Sequence, residues 1–330
     1  MAINRRRLFV GASAGGGFLL SRNFSVSAQD AQGANSMQPN LTTGGSVYVD
    51  QILGKARQLG VGPTGPIPAG GGLNPLTLAD IIDNALNEDT PESQLLARQA
   101  GVLLSAMTTL AHEPSDKPGI SEPIPASRPT DYNDMKDHYT NLCKTAKIDD
   151  TRKAEIKGIA TRINNNKDRY MEVQQKTNVP WFVIGALHYR EANLNFLGHL
   201  HNGDNLLMLT VDVPADRPTQ RPWPPAGESL RQIWTDSAVD AMKEIPKFSG
   251  AWSMQRTCWV MEMYNGFGCF WHDINTPYLW NYTNNYTKGG YSSDNHFDPD
   301  YVSKQAGLFT TMLGIKDIGV DLGATFVLET

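Results

Sequence analysis

The sequence predicts a mainly α fold: a helical domain with a small β-hairpin insertion, plus an N-terminal helical extension. Three observations predict it. Apolar residues recur at helical spacing in segment after segment. One turn, His201-Asn202-Gly203-Asp204, has Asn-Gly at its centre and is followed by residues 206–213, which have β-propensity. Finally, 330 residues with 40% apolar content are enough for one sizeable core and a smaller helical appendage.

The first element is a targeting segment. A basic cluster, Arg5 to Arg7, precedes a weakly apolar, glycine-rich stretch from Leu8 to Leu20 and then the small residues up to Ala28. This order suits signal-peptidase cleavage before Gln29, and Arg6-Arg7-Leu8-Phe9-Val10 resembles a twin-arginine export signal. The apolar part is too short and too rich in Gly and Ser for a stable membrane span. Residues 1–28 are therefore read as an export signal, and the mature protein is expected in the periplasm or outside the cell.

Residues 29–46 are small and polar, a flexible leader. Residues 47–112 form the helical N-terminal region. It starts with a short amphipathic helix over 47–60, and the glycine- and proline-rich stretch 60–75 then breaks the chain. A helix pair follows. Leu78, Ile81, Ile82 and Leu86 mark the inner face of its first member; Leu95, Leu96, Ala100, Leu103 and Leu104 mark that of the second. The break lies at Asp89-Thr90-Pro91, with Asp89 or Thr90 as N-cap and Pro91 at the first helical position. The proline-rich residues 113–130 read as a linker.

Residues 131–330 form the main domain. Helices are expected over 131–148 and 149–179, and a third opens after Pro180 and runs to Asn193. The hairpin-like insertion and a proline-rich stretch, 216–227, come next. Helices resume over 229–245 and 252–266. An aromatic-rich, loop-like stretch covers 267–299, and a last helix covers 300–315.

The formal net charge of -5, with no long basic run beyond the first residues, gives no electrostatic case for nucleic acid. There are three cysteines, an odd number that cannot all pair within one chain. Cys258 and Cys269 flank a tight glycine-containing segment and are a candidate bridge; three buried thiols are the alternative.

The candidate chemistry centres on Glu191. Ile184, Leu187 and Glu191 share one helix face. A carboxyl at the end of an apolar stripe is partly desolvated, which favours the protonated form that a general acid uses. Asp204, on the turn just beyond, is the candidate second carboxyl across a cleft, where a glycosidase needs a base or a stabiliser of oxocarbenium-like charge. Thr210 is a candidate for placing a water. His201, in the same turn, joins it among the substrate-binding candidates. Tyr264 and Asn265 end a helix at Tyr-Asn-Gly, where a phenol can bond a catalytic carboxyl and an amide can meet a sugar amide. Phe270, Trp271, Tyr278, Trp280, Tyr282, Tyr286 and Tyr291 crowd one polar stretch, and aromatic faces stack on the apolar faces of sugars. Tyr278, Trp280 and Tyr286 are the groove candidates among them. Two other readings compete. His199 and His201, with His188 and Asp204, offer zinc-ligand types without the HExxH spacing of a metallohydrolase helix. A non-catalytic wall-binding module would keep the aromatic groove and lack turnover.

Taken in order, HYREANLNF, HLHNGD, MYNGFG, TPYLW and YTKGGY resemble a bacterial and phage family of the lysozyme-like superfamily, over roughly Tyr132 to Ile315. More distantly, a helix-end Glu with Tyr-Asn-Gly is similar to goose-type lysozymes and lytic transglycosylases. The resemblance implies an α+β lysozyme-like fold and cleavage of the β-1,4 bond between N-acetylmuramic acid and N-acetylglucosamine in peptidoglycan. Glu191 would be the acid, Tyr264 and Asn265 would line the cleft, and Asp204 would match the turn aspartate. It implies peptidoglycan or a related amino-sugar polymer as partner, and neither a cofactor nor a metal.

Overall fold

The computed structural model describes residues 45–62, 75–88, 90–111, 130–248, 250–293 and 296–329. The expected export signal, the leader up to residue 44 and the proline-rich linker up to residue 129 lie outside them.

The described chain is mainly helical. Helices α1 (Gly45–Gln58), α2 (Pro75–Glu88) and α3 (Pro91–Ala111) form the N-terminal region. The expected break between the last two is present. The Thr90 hydroxyl accepts from the Ser93 amide (3.1 Å) and the Ser93 hydroxyl accepts from the Thr90 amide (2.9 Å), so two amides that helix formation leaves unpaired are satisfied reciprocally. Leu78, Ile81, Ile82 and Leu86 are buried, as their spacing predicts, and so are Leu96 and Ala100. Leu95 instead faces out, 56% exposed.

The main domain contains α4 (Tyr132–Thr145), α5 (Lys153–Asn165), α6 (Lys167–Thr177), α7 (Trp181–Ala192), α8 (Leu230–Met242) and α9 (Met254–Asn265). Two short helices follow, α10 (Gly268–Trp271) and α11 (Pro277–Trp280), and α12 (Leu308–Asp317) comes last. Helix α7 is the axis. Every residue from Trp181 to Tyr189 is buried, and α5, α6 and α12 pack around it. A helix apolar on nearly all sides belongs inside a core, not on its face.

Three expectations about elements are corrected. The segment 149–179 is two helices, divided at Asn166, whose side chain turns away to bond Asp83 Oδ2 (2.9 Å) and the Arg162 carbonyl (3.2 Å). Residues 206–213 form no strand; the turn at Asn202-Gly203 is closed by a single bridge between Gly198 and Asn205. The sheet lies instead in the aromatic stretch, where β1 (Gly290–Ser293) pairs antiparallel with β2 (His296–Asp298). The last helix starts at Leu308, not near 300. Asn281 Nδ2 donates to the carbonyls of Ser303 (2.8 Å) and Gln305 (2.6 Å), which holds that run outside any helix.

The N-terminal helices are docked onto the main domain. Asp83 of α2 is 5% exposed and accepts from the Nε (3.2 Å) and Nη2 (3.1 Å) of Arg162 on α5. Arg169, also buried, donates to Asn87 Oδ1 (3.2 Å). Among the described residues, no helix is long and apolar enough to cross a membrane.

Candidate active site

Glu191 occupies the last turn of α7, half-buried. The helix stops just beyond it because Asn193 (φ 50°) and Leu194 (φ 59°) both adopt left-handed backbone. The Asn193 side chain is held by Gln305 Nε2 (2.8 Å). Tyr278, at the start of α11, donates its hydroxyl to Glu191 Oε1 at 2.7 Å. Burial, then the neighbouring Glu191 carboxylate and Tyr264 phenol, push the Tyr278 hydroxyl well above its usual range, so it stays a donor. Arg190, next to Glu191 in the chain, places its guanidinium 5.0 Å from the Tyr278 ring centre. It also reaches the carbonyls of Gln305 (3.5 Å) and Ala306 (3.4 Å).

Tyr264 and Asn265 close α9, and the chain leaves through Gly266 at φ 105°, ψ 145°, a conformation only glycine adopts without strain. Tyr264 is buried and Asn265 half-buried. Tyr278 thus has both Glu191 and Tyr264, from two other helix ends, as electrostatic neighbours.

The turn candidates do other work. Asp204 Oδ2 accepts from the amides of Val211 (2.8 Å) and Asp212 (2.9 Å) and from Asn202 Nδ2 (3.1 Å). Through that oxygen it gathers its own loop. Gly203 (φ 82°) packs against the Glu191 backbone: a Cβ there would lie 2.6 Å from the Glu191 carbonyl oxygen. Thr210 is 2% exposed, donates to the Pro214 carbonyl (2.5 Å) and accepts from the Arg217 amide (2.9 Å). It shapes the loop from a buried position.

The histidines bond to different partners, although the rings of His199 and His201 lie 5.8 Å apart. His188 Nδ1 meets the Tyr170 hydroxyl at 3.0 Å inside the core. His199 Nε2 meets the Met208 carbonyl, which only accepts, so this nitrogen carries the proton (2.6 Å); Nδ1 then accepts from the Ser237 hydroxyl (2.6 Å). Burial lowers both rings, His188 to about 3 and His199 to about 4, so both are neutral at ordinary pH. His201, 1% exposed, has its Nε2 3.2 Å from Asp240 Oδ2. Burial alone would raise Asp240, yet hydrogen bonds from His201, Thr219 and Lys243 hold its carboxyl below the usual range. Among the described residues, no three His, Cys, Asp or Glu side chains converge as metal ligands would. Ser237 and Asp240 anchor the turn from α8, a role that nothing in their helical spacing signals.

The aromatic stretch divides as well. Trp280 is fully buried, and Tyr286 is buried with its hydroxyl on the Tyr301 carbonyl (2.9 Å); both are core residues, not groove walls. Phe270, Trp271, Tyr282 and Tyr291 are half-buried. Of the three groove candidates, only Tyr278 reaches the acid. A surface hollow of about 510 Å³ lies elsewhere, between α5 and α12, lined by Ile148, Lys153, Ile156, Lys157 and Asp317. It contains none of the candidate residues. In comparisons with family models, curated proteins and solved structures, no match to this chain was found.

Proposed function

We propose that this protein cleaves peptidoglycan glycan strands at the β-1,4 bond between N-acetylmuramic acid and N-acetylglucosamine, with Glu191 as the general acid and a lysozyme-like arrangement of its main domain. The observation that carries this reading is Glu191 itself: a half-buried carboxyl at the end of a core helix, with one oxygen held by a buried tyrosine hydroxyl at 2.7 Å. A fixed, partly desolvated acid is what protonation of a glycosidic oxygen requires. Asp204 Oδ2 is already bonded by three donors, which favours a mechanism with one protein carboxyl. Glu191 gives its proton to the leaving oxygen. The resulting carboxylate then takes a proton from the attacking group, either water or the C6 hydroxyl of the muramic sugar. The first outcome is hydrolysis; the second leaves a 1,6-anhydro end. The twin-arginine-like leader and the wall polymer agree on a site of action outside the cytoplasm.

The test is digestion of purified peptidoglycan, with mass spectrometry of the muropeptides. Wild type should release fragments with either reducing or 1,6-anhydro ends, and Glu191→Gln should release neither. Peptidoglycan binding without cleavage by the wild type would point to a wall-binding module. Cleavage by Glu191→Gln would remove Glu191 from the mechanism.

A further inference from the structure

We infer that the N-terminal helix pair is a working part of the Glu191 site, with Asp83 as a positioning residue that acts through Arg162 on the turn behind Glu191. This rests on the proposed role of Glu191. Residues 47–112 lie outside the segment carrying the family resemblance, and the sequence reads them as a separate region across a linker.

The connection is short. Arg162, 5% exposed, uses its Nη2 both for Asp83 Oδ2 (3.1 Å) and for the carbonyl of Leu194 (3.1 Å). Leu194 lies three positions after Glu191 and is the second of two successive non-glycine residues in left-handed backbone. Such a pair persists only where its surroundings hold it. Arg162 holds the carbonyl, and Asp83 holds Arg162. Without Asp83 the buried guanidinium loses its two shortest carboxylate bonds and gives up its geometry. Asn166 Nδ2 (2.9 Å) and the Asp80 carboxylate, 3.5 Å from Arg162, tie the same group together. Helix α3 braces the turn from its apolar side: at Gly101 a Cβ would lie 2.7 Å from Leu197 Cδ1, so the helix backbone abuts the segment that follows Leu194. One N-terminal helix thus supplies charge to this turn and the other supplies contact.

The full-length chain tests this with Asp83→Asn, which keeps the shape and removes the charge. Leu78→Ala is the control, a buried position on the same helix with no polar link to Arg162. Two readouts are compared below the unfolding range of both variants: hydrogen exchange over 190–198, and kcat and KM on soluble peptidoglycan strands. Asp83→Asn should speed exchange there about tenfold and lower kcat about tenfold, with KM within about twofold. Leu78→Ala should lower thermal stability while leaving kcat and the local exchange within about twofold of wild type. Equal effects of the two variants on both readouts, or no effect of Asp83→Asn, would overturn the proposal. Should Asp83→Asn not fold, Asn166→Ala removes one neutral donor from Asp83 and retains both charges; it should move both readouts in the same direction by about threefold, and no movement would count against the proposal. If the wild type cleaves nothing, the peptidoglycan reading fails, while the exchange data still decide whether Asp83 holds the turn.

Discussion

The hydroxyl of Tyr278 and the carboxyl of Glu191 are joined by a 2.7 Å hydrogen bond between two helix ends that lie 87 residues apart in the chain. The ring that makes it is 6% exposed, and Arg190 covers one face. Tyr278→Phe should preserve the packing and remove only the bond. A hydrogen bond to a charged partner contributes about 1.5–3 kcal/mol, so full expression in the rate means a loss of roughly 10- to 100-fold in turnover. Turbidity loss of purified peptidoglycan measures the rate, and a thermal melt checks the fold. A rate within about twofold of wild type would show that Tyr278 does not position the acid.

Glu262 makes stability fall as pH rises. It is 2% exposed on α9, and burial raises it to about 8, against the opposing hydrogen bond from Tyr139 at 2.9 Å. The folded state therefore holds this proton more tightly than the unfolded chain. Its stabilisation is complete below the ordinary value of 4.5 and is lost progressively as pH rises towards about 8. His188 and His199, lowered by burial to about 3 and about 4, work the other way: their contribution is present above 6.5 and is lost as pH falls below it. Between pH 6.5 and 8 the two histidines are silent, and the Glu262 slope stands clear of them. Urea midpoints across that window should decline in wild type by an amount on the order of 1–2 kcal/mol, and Glu262→Gln should flatten the decline. A wild-type midpoint that holds or rises across the window would contradict the assignment.

Oxidation should join Cys143 to Cys258, not Cys258 to Cys269. All three cysteines are thiols, and the Cys143 and Cys258 sulfurs sit 3.8 Å apart between α4 and α9. A bond requires them to approach by about 2 Å, with two protons and two electrons passing to the oxidant. Burial pushes the Cys258 thiol well above its usual range, so thiolate is scarce in the folded chain and the reaction should be slow until the core opens. Unfolding and refolding in oxidised glutathione, then non-reducing peptide mapping, should recover the Cys143–Cys258 pair with Cys269 alkylated. Recovery of a Cys258–Cys269 peptide would restore the pairing that their closeness in the chain favours.

Helix ends were legible in the sequence where a local cap decides them. Pro180 before Trp181, Thr90 before Pro91, Ser229 and Ser253 each carry their signal within a few residues. The place of Glu191 at a helix end was legible in the same way, since the apolar run from Trp181 stops there. What the sequence could not show is set by distant partners. Asn166 breaks a continuous helical pattern because Asp83 pulls on its side chain, and residues 300–307 stay out of α12 because Asn281 holds their carbonyls. The Asn-Gly turn exists without its ladder, since Asp204 spends its carboxylate on amides that a strand would have paired. Trp280 and Tyr286 match groove residues in composition, yet they pack inward, and nothing in their own neighbourhood of the chain distinguishes them from Tyr278.

At Gly203 the turn meets the Glu191 backbone, and its replacement should show how closely the two are fitted. Gly203→Ala meets two penalties at once. The backbone is left-handed, at φ 82°, and the new methyl carbon would lie 2.6 Å from the Glu191 carbonyl oxygen, a contact that backbone must move to relieve. Gly227→Ala separates the two terms: its φ is 80° and nothing lies within 4 Å of the added carbon. The Gly227 variant should lose about 1 kcal/mol of stability, from conformation alone, with turnover unchanged. The Gly203 variant should lose about 1–3 kcal/mol more and should also lose turnover, because the displaced carbonyl belongs to the residue that carries the acid. Denaturant melts and peptidoglycan digestion on the two variants measure both quantities. Equal stability losses, with turnover retained in both, would mean that the turn yields without disturbing α7, and that its contact with Glu191 has no bearing on the site.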